Sequence, residues 1–213
     1  VALFLAFKPM PLADGILARD ALAVLFMLAG LGLRGAVIGF AYIKRGGLNK
    51  QVYADQLVTE GFFTTCRNPL YVGRIVNFTG IAMLTGSWVY GAIVFLVSVL
   101  IYERISIYEE NFLREKFGAA HTAWAQNVPA LLPRLHGWVK PKYPFWWRRA
   151  IRREYKKLFQ LAAAVFLYDF ARRGFDPANL PSDMTWYYAF AGIVVLRLAV
   201  GGARQLGVFK GIS

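Results

Sequence analysis

Two short polar stretches hold most of the side chains that could bind a charged small molecule. The first, 67–73, reads Arg-Asn-Pro-Leu-Tyr-Val-Gly, and its proline predicts the first turn of a helix. Free backbone N–H groups and the helix dipole favour an anion there, beside Arg67. The second stretch, 109–118, opens with the adjacent carboxylates of Glu109 and Glu110, which could bind a cation or a pair of ribose hydroxyls.

Aromatic residues surround both stretches in the sequence: Phe62, Phe63, Tyr71, Phe112, Phe117 and Trp124. A cationic ligand with an aromatic base, a ribose and a carboxylate would use all of these features. A simpler interpretation is that Arg67 anchors a helix to lipid headgroups and that the acidic helix is the solvated continuation of a membrane span.

The composition indicates a membrane protein. The chain has 213 residues, of which 57% are apolar and 17% are charged, whereas soluble domains average about 45–50% and about 25%. The apolar residues form blocks. The net charge of +13 would suit nucleic acid or an anionic membrane face, and the blocks favour the membrane and argue against nucleic acid. A single cysteine, Cys66, excludes an internal disulfide framework.

These blocks predict an all-α fold: a polytopic membrane helix bundle with a cytoplasmic helical cap and a basic interfacial segment. The predicted spans are 20–43, 69–85, 88–102 and 185–203. The turn at Gly86-Ser87 makes the middle two antiparallel, and the second of them continues as a helix that Gly118 ends. We expect a loop with a short helix over 48–66, and we expect residues 1–12 to be the tail of an earlier span.

The C-terminal part is strongly basic. Residues 134–173 hold eleven Lys and Arg against two acids, and aromatic residues interrupt the charge at 145–147. We therefore expect 140–157 to contact anionic lipid headgroups. Residues 158–171 are apolar but short for a span. Arg34 and Arg197 lie inside spans, and we expect both to snorkel to the interface. Because Lys and Arg concentrate on one side, the polar stretches should face the cytoplasm.

Four motifs in order resemble the isoprenylcysteine carboxyl methyltransferase and phospholipid methyltransferase family. They are Gly-Phe-Phe at 61–63, Arg-Asn-Pro-Leu-Tyr-Val-Gly at 67–73, Glu-Glu-x-x-Leu-x-x-x-Phe-Gly at 109–118 and Val-Pro-x-x-Leu-Pro-Arg at 128–134. The resemblance covers about 57–134. It implies a transmembrane methyltransferase-like domain at 1–134, and the composition adds a basic interfacial segment and C-terminal membrane helices at 135–213.

The resemblance implies an integral membrane enzyme that uses S-adenosylmethionine and methylates a lipid or lipidated substrate by in-line transfer. The residues that it implies for the cofactor pocket are Arg67, Asn68, Pro69, Tyr71, Gly73, Glu109, Glu110 and Trp124. It implies no metal. No convincing catalytic base stands out, because the lone His121 is better explained as structural or as facing a headgroup.

The sequence departs from the family pattern at several points. Asn68 stands where many members have histidine, Phe62-Phe63 replaces a usual Pro-Tyr pair, and 139–213 has no counterpart in short members. These departures keep two alternatives open. One is a non-catalytic methyltransferase-like subunit that binds a membrane-protein partner through 139–213. The other is an NADPH-dependent reductase of the sterol reductase type, although the basic cluster that a 2′-phosphate needs is weak here.

Overall fold

Helices carry the fold. The computed structural model describes residues 16–40, 45–48, 51–54, 56–134, 136–172, 174 and 184–206. The helices in these ranges are α1 (Ile16–Phe40), α2 (Pro69–Met83), α3 (Trp88–Asn127), α4 (Trp147–Arg172) and α5 (Thr185–Gln205). The all-α fold class is thereby confirmed. The expectations for residues 1–12, and for the last three residues of the first predicted span, lie outside the described residues.

A small hairpin corrects the loop that was predicted over 48–66. Strands β1 (Arg45–Leu48) and β2 (Gln51–Ala54) pair antiparallel, with Arg45 opposite Ala54. Pairing of the two strands provides hydrogen-bond partners for their backbone N–H and C=O groups, and the mixed polar composition of this region did not indicate those partners. The short helix that was expected in this region is present as a 3₁₀ helix at Gly61–Thr64.

Helices α1 and α2 pack closely through small residues. A Cβ atom at Gly73 would lie 2.6 Å from Cγ of Arg34 and 2.8 Å from the carbonyl oxygen of Gly30. The absence of side chains at Gly30 and Gly73 therefore lets the two helices approach, as small residues do in membrane bundles. One consequence is that the face of α2 that carries Gly73 is occupied by α1.

Helices α2 and α3 form the predicted antiparallel hairpin. Gly86 has φ 76°, and the Ser87 hydroxyl accepts a hydrogen bond from the Tyr90 backbone at 3.2 Å, which caps α3. Helix α3 is interrupted at Gly118, whose φ of 52° and ψ of −123° suit glycine. The predicted stop at this glycine is thus a kink, after which helix resumes to Asn127.

Three of the described helices are long and apolar enough to cross a membrane: Asp20–Phe40, Trp88–Asn127 and Tyr187–Gln205. Helix α2 has 15 residues, so it extends about 22 Å against a hydrocarbon core of about 30 Å. The span predicted at 69–85 is therefore shorter than expected, because residues 84–86 already form the turn.

Helix α4 packs onto this core, and α5 packs onto α4. Helix α4 is continuous through 158–171 and contacts α1 and α5. Phe166 of α4 stacks on Phe190 of α5 with ring centroids 4.5 Å apart. Before α4, the Trp146 backbone donates a 2.8 Å hydrogen bond to the Gly39 carbonyl, which fixes the basic segment to the end of α1.

Candidate functional site

The two polar stretches meet at the start of α2. The Arg67 Nη1 atom lies 2.6 Å from Oε2 of Glu110. Asn68 Nδ2 donates to the other oxygen of the same carboxylate at 3.1 Å. Because one carboxylate receives two neighbouring donors, residues 67–68 are tied to α3 through Glu110. The side chains of Arg67 and Glu110 are only 18% and 11% exposed.

Glu109 has a different environment from its neighbour. It is half-buried, and the Tyr71 hydroxyl donates to its Oε1 atom at 2.6 Å. Tyr71 in turn stacks on Tyr102, with ring centroids 5.0 Å apart. Consecutive helical residues point about 100° apart, so Glu110 faces Arg67 inside the structure while Glu109 lies nearer the surface.

A strap of residues 128–134 crosses the start of α2. The Arg67 backbone donates to the Pro129 carbonyl at 2.9 Å, and Asn68 Nδ2 also donates to the Ala130 carbonyl at 3.2 Å. Further along, Arg134 donates through its backbone to Thr65 and through Nε to Thr64. The motif at 128–134 therefore fixes the position of the first polar stretch through these hydrogen bonds.

Trp124 braces the same region from the helix that follows the kink. Its Nε1 atom donates to the Phe63 carbonyl at 3.1 Å, and its ring meets His121 edge-on at 5.6 Å. Trp124 is half-buried and His121 is 1% exposed. This burial favours the structural interpretation of His121 over a position at a lipid headgroup.

Two of the predicted pocket residues are placed differently from the rest. Pro69 is buried at the first position of α2, where its missing N–H costs nothing. Gly73 faces α1 beside Arg34, on the opposite side of the helix from Tyr71. The structure thus brings Arg67, Asn68 and Tyr71 to the two acids, and it places Gly73 in a helix contact.

Two residues near the site, Tyr102 and Arg74, were not among the predicted site residues. Tyr102 stacks on Tyr71, and the guanidinium of Arg74 lies 5.9 Å from the centroid of the Tyr102 ring. The available signal was the spacing of seven residues between Tyr102 and Glu109, which places both on one helix face.

Cys66 lies directly before the first polar stretch and packs against the strap. It is fully buried, and its Sγ atom lies 3.3 Å from the carbonyl oxygens of Ala130 and Leu131. Burial raises the pKa of the thiol to about 11, against smaller lowering effects from the Asn68 backbone and the Arg67 charge. Cys66 is therefore a packed thiol and a poor nucleophile at neutral pH.

A cavity of about 160 Å³ lies elsewhere, between α1, α4 and α5. Its lining is largely apolar, for example Leu28, Leu161 and Phe166, with Asp20 and Asp169 also on the wall. It includes none of the residues predicted to bind a cofactor, so it is distinct from the cluster at the start of α2.

The helices that are long and apolar enough to cross a membrane define a polytopic membrane protein, and a polar cluster with aromatic neighbours lies at the start of α2. The chain belongs to the phospholipid methyltransferase family, whose model matches residues 13–120. The match includes α2 and most of α3 with both acids, and it ends before the strap, α4 and α5.

Curated relatives match over a shorter region. The chain is 34% identical over 81 residues to the cobalt-zinc-cadmium resistance protein CzcN of Cupriavidus metallidurans. It is 35% identical over 82 residues to the nickel-cobalt-cadmium resistance protein NccN of Alcaligenes xylosoxydans xylosoxydans. It is 36% identical over 80 residues to protein-S-isoprenylcysteine O-methyltransferase B of Arabidopsis thaliana. These matches cover 37–38% of this chain and 37–40% of the relatives' lengths. No solved structure matches.

Proposed function

We propose that this chain is a membrane-embedded methyltransferase that uses S-adenosylmethionine and methylates a lipid or lipidated substrate. The observation that carries the proposal is the meeting of Arg67, Asn68 and Tyr71 with Glu109 and Glu110 at the end of a membrane hairpin. Family membership and the isoprenylcysteine methyltransferase relative support the same reaction class.

The residues fit the charges of this cofactor. Arg67 Nε is buried and has no hydrogen-bond partner among the described residues, so a cationic donor is available for a carboxylate. Buried donors are rarely left unpaired. Glu109 is half-buried and offers negative charge for a sulfonium or for ribose hydroxyls. Trp124 supplies an aromatic surface beside the 3₁₀ helix that precedes the first polar stretch. Pro69 and Gly73 would act indirectly, through the helix start and the α1 contact.

When bound, S-adenosylmethionine supplies a methyl group on a positively charged sulfur. The protein's part is to orient the reactants in line and to exclude water. Positioning alone can lower the barrier by about 7–11 kcal/mol. Tyr71 and Tyr102 stack beside Glu109, and this aromatic layer would limit the access of water from that side. A carboxylate acceptor would need no base, which agrees with the burial of His121.

We further propose that the cluster faces the cytoplasm and that 140–157 contacts anionic headgroups. The support is the concentration of positive charge at the start of α4. Partial burial and the neighbouring charges of Arg153, Arg204 and Arg149 lower the pKa of Arg152. Such crowding of like charges would be relieved by lipid phosphates.

The test uses the purified protein in nanodiscs that contain anionic lipid. Calorimetry with S-adenosylmethionine should give saturable binding, and radiolabelled methyl should then appear either in phospholipid or in a prenylated cysteine peptide. No binding at millimolar cofactor would overturn the proposal. Binding of NADPH with no S-adenosylmethionine binding would favour the reductase alternative.

A non-catalytic subunit is the second candidate. The observation that favours it is that α4 and α5 lie outside the family match, while α4 packs on α1 and α5 packs on α4, as a partner-binding extension would. Recovery with a membrane protein in fixed stoichiometry, together with no cofactor binding, would support this candidate.

A further inference from the structure

An arginine inside the first membrane helix is paired with a glutamate of α4. Arg34 Nε donates to Oε2 of Glu154 at 2.9 Å, and Nη2 donates to Oε1 at 2.7 Å. Both side chains are buried, with 7% and 9% exposed. The expectation that Arg34 snorkels to the interface is therefore wrong: a bidentate carboxylate 120 residues away compensates its charge inside the bundle.

The same guanidinium reaches the start of α2. Its Nη1 atom donates to the Leu70 carbonyl at 3.2 Å. Leu70 is the second residue of α2 and directly precedes Tyr71, which holds Glu109. The stem of Arg34 also packs where a side chain at Gly73 would lie. One planar group thus connects α4, α1 and the first turn of α2, a geometry that lysine cannot reproduce.

A buried ion pair is by itself weak evidence of a stabilising role. Apolar residues of similar volume often replace such pairs without loss, whereas removal of a single partner is strongly destabilising. The third hydrogen bond, to Leu70, is the part of this arrangement that an apolar replacement would not supply. A positioning role at the first turn of α2 explains why an ion pair stands here.

We propose that Arg34 and Glu154 are positioning residues for the candidate site, and that α4, outside the family-matched region, is required to hold residues 67–71 in their binding geometry. This inference rests on the proposed function for its cofactor readout. It extends that function by assigning a role to the C-terminal helix.

The test compares three variants in nanodiscs. The double variant R34M/E154M removes the charges and the Leu70 hydrogen bond but keeps side-chain volume. R34K keeps a charge for Glu154 and guards against misfolding of the double variant. R197M is the matched control, because Arg197 also lies in a membrane helix but stacks on Phe159 at 4.6 Å, away from the site.

Two readouts separate the inference from the proposed function. The first is the affinity for S-adenosylmethionine, measured at a temperature at which every variant is folded. It should fall about tenfold in R34M/E154M and R34K, and it should stay at the wild-type value in R197M. The second needs no cofactor: the rate at which a maleimide labels Cys66, the single cysteine. It should rise several-fold in the same two variants, because the segment that precedes α2 loosens.

The outcomes are distinct. Wild-type labelling rates and affinities in both R34M/E154M and R34K would overturn the positioning role. Faster Cys66 labelling in both variants supports it even if the wild-type protein binds no S-adenosylmethionine, a result that would overturn the proposed function alone.

Discussion

Loss of charge at the two adjacent glutamates should affect two different properties, stability in one case and cofactor affinity in the other. Glu110 is buried and accepts from Arg67 and Asn68, so Glu110→Gln leaves the Arg67 guanidinium without its ion partner. Glu109 is half-buried and is held by a tyrosine hydroxyl, so Glu109→Gln leaves no buried charge unpaired. We therefore predict that Glu110→Gln chiefly lowers stability, and that Glu109→Gln chiefly lowers cofactor affinity.

The magnitudes follow from burial. Breaking a fully buried ion pair costs about 3–5 kcal/mol. The two side chains here keep 18% and 11% exposure, and glutamine can still accept from Asn68. We therefore expect a loss of about 2–3 kcal/mol for Glu110→Gln, or about 5–10 °C in Tm for a chain of this size. A hydrogen bond to a charged group contributes about 1.5–3 kcal/mol, so Glu109→Gln should weaken cofactor binding about 10- to 100-fold.

Thermal unfolding followed by tryptophan fluorescence gives the stability, and calorimetry gives the affinity, both in the same nanodiscs. The control is Glu115→Gln, which removes an exposed acid from the same helix and should change neither value. Equal losses of stability in the Glu109 and Glu110 variants would refute the division of roles. So would full cofactor affinity in Glu109→Gln.

Two further predictions concern buried positions around the site. Burial raises the pKa of the Cys66 thiol from 9.0 to about 11, so between these pH values the folded state keeps a proton that the unfolded state loses. The free energy of unfolding should therefore fall by about 2 kcal/mol as pH rises from about 9 to 11. Chemical denaturation at several pH values should show this loss in the wild-type protein and not in Cys66→Ala. Gly73→Ala should lower the free energy of unfolding by about 1–3 kcal/mol, because the added methyl group would overlap Arg34 and the Gly30 backbone. The control, Gly192→Ala, has open space around the added carbon and should leave Tm unchanged or raise it. Equal Tm values for the two glycine variants would contradict the packing argument.

The meeting of the two polar stretches could be predicted because local rules fix it. Proline at the first turn sets where α2 begins, and Gly86-Ser87 sets where the chain reverses. A tight hairpin then pairs residues at similar distances from the turn. Tyr71 lies 15 residues before Gly86 and Tyr102 lies 16 after it (86 − 71 and 102 − 86), and the two rings stack. The same counting would have identified Tyr102 in advance.

The partner of Arg34 could not be predicted in the same way. An arginine near the end of an apolar run gives the same local pattern whether it snorkels or pairs inside the bundle. The distinction depends on Glu154, 120 residues later, and on the packing of α4 against α1. The β1–β2 hairpin was missed for a related reason, because pairing between short polar strands depends on backbone partners more than on hydrophobic alternation.

The start of α2 is held from three directions, and this bears on how the proposed chemistry could proceed without a base. Glu110 fixes the side chains of Arg67 and Asn68, the strap fixes the Arg67 backbone, and Arg34 fixes the Leu70 carbonyl. If methyl transfer depends on orientation and water exclusion, small displacements of this turn should be costly. Supports distant in sequence, α4 among them, would then affect the reaction as strongly as residues that touch the ligand.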